Sequence, residues 1–251
     1  MKVGLIGAGN MARALARGWA QPVLCADPVA ERARALAAET GGEALASNAE
    51  VARGADLVVL AHKPAQLAEV AAEVAPHASA VASILAATPL EALRAAYPSC
   101  PVYRFLPSLP VEVRAGAVVQ ARDAVQDPEL DAGVAELFAS LGTLVTLDDR
   151  LVDVAMSLMS CGPAYVALVV EAQVEAGVRY GLPASEGAEL VVQTLAGTAE
   201  LLRRRGYDTL AVRREVSSPG GVTVRGLDAL ERGGVRAAFS DAMDAVMRSS
   251  R

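Results

Sequence analysis

Lysine is almost missing from this chain. Of its 251 residues only Lys2 and Lys63 are lysines, and only His62 and His77 are histidines. Beyond position 77 no lysine or imidazole is available as a general acid or base. A dehydrogenase that relies on a lysine proton donor in a C-terminal helical domain is thereby excluded. Cysteine is also scarce: Cys25, Cys100 and Cys161 are odd in number and far apart. No pair has metal-ligand spacing, so no metal site is expected, and the thiols read as small core residues in a reducing compartment. Nine aromatic residues are too few for a base-stacking platform. No run of like charge exceeds Arg203-Arg204-Arg205, and the net charge is −6, which excludes nucleic acid or an anionic membrane as the main partner. The apolar run 164–170 is cut by Glu171, short of a membrane span. The N-terminal MKVGLIGAGN enters a strand-and-loop pattern with no signal-peptide cleavage segment. A soluble, cytoplasmic protein is expected.

What is present is apolar surface in two patterns. Hydrophobic residues make up 53% of the chain, enough for one large domain or two modest ones. Over 1–148, short apolar runs at 2–6, 23–26, 56–61, 80–85, 102–105, 117–120 and 143–147 read as strands. Helical periodicity between them, at 12–19, 29–39, 65–74, 90–96 and 128–141, predicts a mostly parallel sheet with helices on both faces. Over 149–251 the strand signals stop and helices are predicted at 150–158, 163–180, 183–205, 209–215, 222–231 and 235–248. The segments AYVALVVEAQVEAGV and AELVVQTLAGTAELL are apolar on nearly all sides. Helices of that kind must be buried, and about a hundred residues cannot wrap both. A dimer through the helical half is expected.

Gly7-Ala8-Gly9-Asn10-Met11-Ala12 follows the first strand and opens a helix, a G-x-G-x-x-A pattern. Gly7 suits the tight turn, Gly9 the close approach of a pyrophosphate, and Ala12 the packing of helix on strand. Asp27 ends the second strand, where a carboxylate accepts the hydroxyls of an adenosine ribose. It would repel a 2′-phosphate, whereas Arg32 and Arg34 one turn on are positioned to answer one, so NAD and NADP both stay open. With so little acid available, an imine is a better substrate than a ketone. A protonated C=N already carries the positive charge that draws a hydride.

These segments resemble the pyrroline-5-carboxylate reductase family along nearly the whole chain. IGAGNMARALARG, ADLVVLAHKP, PVYRFLPSLPVEVRAG, CGPAYVALVVEA and VSSPGGVTVRGLDALERGGVRAA carry the resemblance in register. It implies an α/β Rossmann domain (1–148) followed by an all-α dimerisation and substrate domain (149–251). It also implies reduction of 1-pyrroline-5-carboxylate to L-proline by NADH or NADPH. The residues transfer position by position. Gly7, Ala8, Gly9, Asn10 and Met11 are implied to line the pyrophosphate, Asn48 to lie near the adenosine ribose, and Ala61, Lys63 and Pro64 to run along the cofactor. Ser218, Gly220, Gly221, Val222 and Thr223 are implied to receive the substrate carboxylate, with Thr223 near the imine nitrogen as the candidate catalytic residue.

The chain departs from the family pattern in places. Leu106-Pro107-Ser108-Leu109-Pro110 stands for Met-Pro-Asn-Thr-Pro, Leu85-Ala86-Ala87 for Ala-Ala-Gly, and Met159-Ser160-Cys161 for Ser-Gly-Ser. Tyr207-Asp208-Thr209 stands for Glu-His-Pro and Arg213-Arg214 for Lys-Asp. Such changes near a reacting centre alter substrate preference. An imine reductase acting on another small acid, and a non-catalytic dinucleotide-binding regulator, share the architecture.

Overall fold

A computed structural model describes residues 1–249. The chain divides into two compact units, Met1–Pro163 and Ala164–Ser249. The first contains one eight-stranded sheet in the order β3-β2-β1-β4-β5-β6-β7-β8. The strands are β1 Val3–Ile6, β2 Val23–Ala26, β3 Glu43–Ala44, β4 Leu57–Leu60, β5 Val81–Ser83, β6 Val102–Pro107, β7 Gly116–Ala121 and β8 Gly142–Leu147. All neighbours are parallel except β6 and β7, where Phe105 faces Gln120.

β1, β2 and β4 are buried along their whole length, so their sequences show no polar alternation. The alternation is instead between two cores. Leu5 and Val59 join one hydrophobic cluster, while Ile6, Val58 and Leu60 join the other. The first cluster takes in Leu15 and Trp19 from α1 (Asn10–Trp19), Leu36 from α2 (Ala30–Thr40) and Phe138 from α6 (Pro128–Ala139). Phe138 stacks on Phe105 at 3.8 Å between ring centroids and meets Trp19 edge-on at 5.6 Å. The second cluster takes in Val51 from α3 (Asn48–Gly54), Val70 and Val74 from α4 (Leu67–Val74) and Leu93 from α5 (Leu90–Ala96).

β1 lies between β2 and β4, so the chain turns in opposite directions on leaving the two sides of β1. That reversal opens a crevice at the carboxyl ends of the strands. β3 and α3 lie outside the predicted elements. α3 nonetheless carries a readable start signal, because Ser47 Oγ accepts from the Glu50 N–H at 3.2 Å in an S-x-x-E sequence.

α7 (Asp149–Met159) closes the first unit, and α8 (Gly162–Val178) leads into the second. α9 (Ala184–Arg204), α10 (Thr209–Glu215), α11 (Val222–Arg232) and α12 (Val235–Ser249) follow. α8 has no buried residue and α9 only Gly187. Val166, Leu168, Leu190, Val192, Leu230 and Phe239 are exposed in the single chain. Apolar area left uncovered on this scale marks a surface that another molecule covers. The helical stretch Asp149–Val178 is also long and apolar enough to cross a membrane by length and composition, with a hydropathy of 1.5. The stretch is interrupted at Ser160-Cys161, between α7 and α8.

Candidate functional site

The link between β1 and α1 is only Gly7-Ala8-Gly9. Gly7 has φ +100°, and a Cβ there would meet the Ala61 carbonyl oxygen at 2.7 Å, so glycine is required twice over. Gly9 differs: a Cβ would meet nothing within 4 Å. The space beside Gly9 is not needed by the protein's own packing, and it lets a bound group come close to the backbone. α1 starts at Gly9 with no side-chain cap, leaving its first N–H groups for an anion. Asp27 steadies this loop from the end of β2. Its Oδ2 accepts from the Ala8 N–H and its Oδ1 from the Val29 N–H, both at 2.8 Å.

A cavity of about 500 Å³ follows this edge of the sheet, and Gly7, Gly9, Asp27, Asn48, Ala61 and Lys63 line it. Six of the ten residues expected along a cofactor are thus brought together. Ala8 is buried behind the loop, and Asn10 and Pro64 are exposed outside the lining. Arg32 also faces the cavity and has no ion-pair partner among the described residues, whereas Arg34 pairs with Glu31 at 2.7 Å.

A second cavity of about 260 Å³ lies at the ends of β4, β5 and β6. Its wall is largely apolar, built from Met11, Ile84, Leu85, Leu106, Pro107 and Met156. The tenth expected residue, Met11, is found here. Ser160 also lines this cavity, with its Oγ donating to the Pro107 carbonyl at 3.3 Å. Of the departures noted in the sequence, Leu85-Ala86-Ala87, Leu106-to-Pro110 and Met159-Ser160-Cys161 each contribute to this wall, through Leu85, Ala86, Leu106, Pro107 and Ser160. Ser108 is buried, and its Oγ accepts from the Ala117 N–H at 2.9 Å, pinning β6 to β7. Ala87 has φ +51°, a conformation that favours the glycine of the family pattern.

Ala61 and His62 line both cavities. His62 Nδ1–H donates to the Lys63 carbonyl at 2.9 Å, since that oxygen can only accept. In the neutral ring Nε2 therefore carries a lone pair, and it is buried without a partner. Burial holds the imidazole below its ordinary pKa, against a smaller opposing effect of the Lys63 carbonyl. Sequence reasoning passed over His62, because a single histidine between strand and loop has no pattern to mark it.

A buried guanidinium on β6 is held by two carboxylates of α7. Arg104 on β6 is only 1% exposed, with Nη1 at 2.7 Å from Asp149 Oδ1 and Nη2 at 2.7 Å from Asp153 Oδ1. Asp149 also accepts from the Leu90 N–H at 3.0 Å, which ties α7 to the start of α5. Among the described residues no group of three or more His, Cys, Asp or Glu is placed to hold a metal ion.

The second unit carries the Ser218-to-Thr223 segment. The Gly221 N–H donates to the Ser218 carbonyl at 2.9 Å, with Pro219 and Gly220 between them and Gly220 at φ +71°. This is a type II turn, with proline and glycine at the positions it demands. A Cβ on Gly221 would meet Ser218 Oγ at 2.5 Å, so the second glycine admits the serine side chain. α11 then starts at Val222 with Gly221 as its cap and no side-chain bond to its first turn. Ser218 and Val222 are exposed and Thr223 is half-buried. Free N–H groups with hydroxyls beside them suit a small carboxylate.

Comparison with known proteins gives a consistent result. The family model described as pyrroline-5-carboxylate reductase dimerisation matches residues 149–251. A second, described as NADP oxidoreductase coenzyme F420-dependent, matches residues 2–87. The pyrroline-5-carboxylate reductase of Synechocystis is 33% identical, over 100% of this chain and 97% of its own length. Among solved structures, the 1-pyrroline-5-carboxylate reductase of Streptococcus pyogenes is 28% identical, with a TM-score of 0.89 over 100% of this chain and 98% of that one. The pyrroline carboxylate reductase of Plasmodium falciparum, solved with NADP bound, is 27% identical, with a TM-score of 0.88 over 100% of this chain and 97% of that one.

Proposed function

The chain belongs to the pyrroline-5-carboxylate reductase family, and on that premise we propose that it reduces 1-pyrroline-5-carboxylate to L-proline in proline biosynthesis, using NADPH or NADH. The observation that carries this reading is the full-length match to curated reductases, and the sheet-edge cavities supply a place for the cofactor. The residues present suit a dinucleotide. Open space beside Gly9 and the uncapped start of α1 fit a pyrophosphate. Asp27 and Asn48 share a wall with them where the adenosine ribose would lie. The smaller, apolar cavity suits a nicotinamide ring.

The cofactor, when bound, supplies a hydride. The protein's own part is to position the imine carbon and hold the carboxylate attached to the same ring. Ala8 and Asn10 complete the phosphate loop, and Met11, Ala61, Lys63 and Pro64 follow the cofactor along the sheet edge. Ser218, Gly220, Gly221 and Val222 hold the substrate carboxylate, and Thr223 orients the imine nitrogen. Because a protonated imine needs no further proton before it accepts a hydride, the lack of lysine and histidine after position 77 is no obstacle. Residues 1–148 form the cofactor domain and 149–251, the span of the dimerisation family model, the dimerisation and substrate domain, with α7 packing in the first compact unit. The uncovered faces of α8 and α9 support assembly with a second copy of the chain. The acidic charge balance supports an enzyme of the cytoplasm that acts apart from nucleic acid and membranes.

Loss of reduced-cofactor absorbance on mixing purified protein with 1-pyrroline-5-carboxylate tests the reading. Turnover on the order of 1–1000 per second is expected. Tight cofactor binding without turnover on this substrate, but with turnover on another cyclic imine acid, would assign the altered Leu85-Ala86-Ala87 and Leu106-to-Pro110 segments to a different substrate.

A further inference from the structure

We propose that Asp153 is a positioning residue for the reduction: held by Arg104, its Oδ1 sets the Leu85-Ala86 wall of the apolar cavity where hydride transfer requires it. The cavity takes wall from three segments: Leu85 and Ala86 after β5, Leu106 and Pro107 on β6, and Met156 and Ser160 at the end of α7. Each segment has a member in one polar knot. Arg104 stands two residues before Leu106, so both side chains leave the same face of β6. Asp153 lies three residues before Met156, on the same side of α7. Ala87 directly follows Ala86. Asp153 Oδ1 joins all three, accepting from Arg104 Nη2 at 2.7 Å and from the Ala87 N–H at 3.1 Å. The other arm of the guanidinium holds Asp149 at 2.7 Å, and Asp149 accepts from the Leu90 N–H at 3.0 Å. One buried cation thus fixes both ends of the segment 87–90.

Stability alone does not account for this knot. Packed hydrophobic side chains in place of a buried ion cluster are often neutral or stabilising, and Leu90, Leu106 and Met156 already meet in one hydrophobic cluster. What the charged hydrogen bonds add is direction, because a planar guanidinium fixes where each carboxylate lies. The backbone points the same way. Ala87 keeps φ +51°, a strained conformation that persists only where the surroundings impose it. Strain imposed through a buried cation, one residue from a cavity wall, fixes the position of that wall. A misplacement of about 1 Å at reacting atoms can cost about 100-fold in rate, so the wall matters more to turnover than to folding.

This assignment rests on the reading of the chain as a reductase, and its test includes a measurement that needs no cofactor. Both bonds to Asp153 end on one oxygen. Asp153→Asn can keep that oxygen in place, whereas Asp153→Glu keeps the charge and moves the acceptor by a methylene. Asp153→Ser, too short to reach Ala87, serves as the displaced acceptor if the glutamate variant does not fold. The full-length proteins would be compared by kcat per bound NADPH, by NADPH affinity, and by deuterium uptake over 84–90 without cofactor. The asparagine variant is expected to stay within about 3-fold of the wild-type kcat, and the glutamate variant to fall by about 10- to 100-fold. Cofactor affinity should stay within about 3-fold in both, and only the glutamate variant should take up deuterium faster. Adding Ala87→Gly to Asp153→Glu should recover at least about 3-fold of the lost rate, because glycine keeps the left-handed conformation without the anchor. The reverse order, with glutamate active and asparagine slow or unfolded, would mark a plain ion pair and overturn the assignment. Equal kcat in all variants, or a loss of rate matched by loss of cofactor affinity, would also overturn it. Those failures, with wild-type turnover intact, leave the reductase reading standing. If wild type does not reduce pyrroline-5-carboxylate, that reading falls and the positioning role falls with it.

Discussion

Asp153 holds Ala87 in a conformation that alanine seldom adopts. Ala87 has φ +51°, and its N–H donates to Asp153 Oδ1 at 3.1 Å. The same oxygen accepts from Arg104 Nη2 at 2.7 Å. A buried guanidinium thus fixes the carboxylate, and the carboxylate fixes the loop whose neighbours Leu85 and Ala86 line the apolar cavity. The strain at position 87 is local and its restraint comes from a helix 66 residues away in sequence.

Replacing Ala87 by glycine should therefore stabilise the protein. The left-handed region costs an alanine about 1–2 kcal/mol that glycine avoids, offset in part by the greater freedom of glycine in the unfolded chain. A net gain of about 0.5–1 kcal/mol is expected on the same ground, read as a higher urea midpoint at unchanged slope. A lower midpoint would mean that the loop relaxes out of this conformation in solution.

Asp27 has two tasks that substitution can separate. Its carboxylate anchors Ala8 and Val29, and it places negative charge in the cavity that Arg32 also faces. Asp27→Asn keeps an oxygen for one of these bonds and removes the charge. Affinity for NADPH relative to NADH is expected to rise, by about ten-fold for a difference of 1.4 kcal/mol. Asp27→Ala should show the same shift with weaker binding of both cofactors, because the loop loses its anchor. Fluorescence titration of each reduced cofactor checks this, and an unchanged ratio would show that the carboxylate does not face the 2′ position.

Thr223 sits at the second residue of α11, behind the turn made by Pro219 and Gly220. Thr223→Ala should lower turnover by about 10- to 100-fold while leaving cofactor affinity within about two-fold, as expected when a group orients the reacting atom and not the cofactor. Equal kinetics for the variant and the wild type would remove Thr223 from the site.

Much of this organisation was legible in the sequence, for identifiable reasons. The inner strands are continuous apolar runs because both faces of a parallel sheet are covered, and the helices at 90–96 and 209–215 match the structure at both ends. β3 is two residues long and carries no alternation to detect. α3 was missed although Ser47 and Glu50 announce it, since it is only seven residues long. The phosphate loop was legible because its glycines carry the backbone geometry. His62 and Met156 were not, because they are single residues brought together by the ends of different elements. The network of Arg104, Asp149 and Asp153 is a matter of long-range packing that no local spacing encodes.

Tyr97 offers a test of the second core that is independent of function. It follows α5, is 1% exposed, and its hydroxyl is buried without a partner. Burial, with a smaller contribution from Cys100, pushes the phenol well above its ordinary range. Tyr97→Phe keeps the ring among Val74, Leu93 and Val102 and removes the orphaned oxygen. Stability at neutral pH should rise by about 1 kcal/mol, the lower end of the penalty for an unsatisfied buried polar group. The alkaline limb gives the sign a second check. The folded state keeps the phenol proton above pH 10.0, where the unfolded chain releases it, so wild type loses stability as pH rises through that window. The phenylalanine variant lacks this contribution and should lose less between pH 9 and 11, so its advantage grows with pH. Denaturant titrations at neutral and alkaline pH measure both effects. A destabilised variant would show that the hydroxyl is satisfied in solution by a buried water.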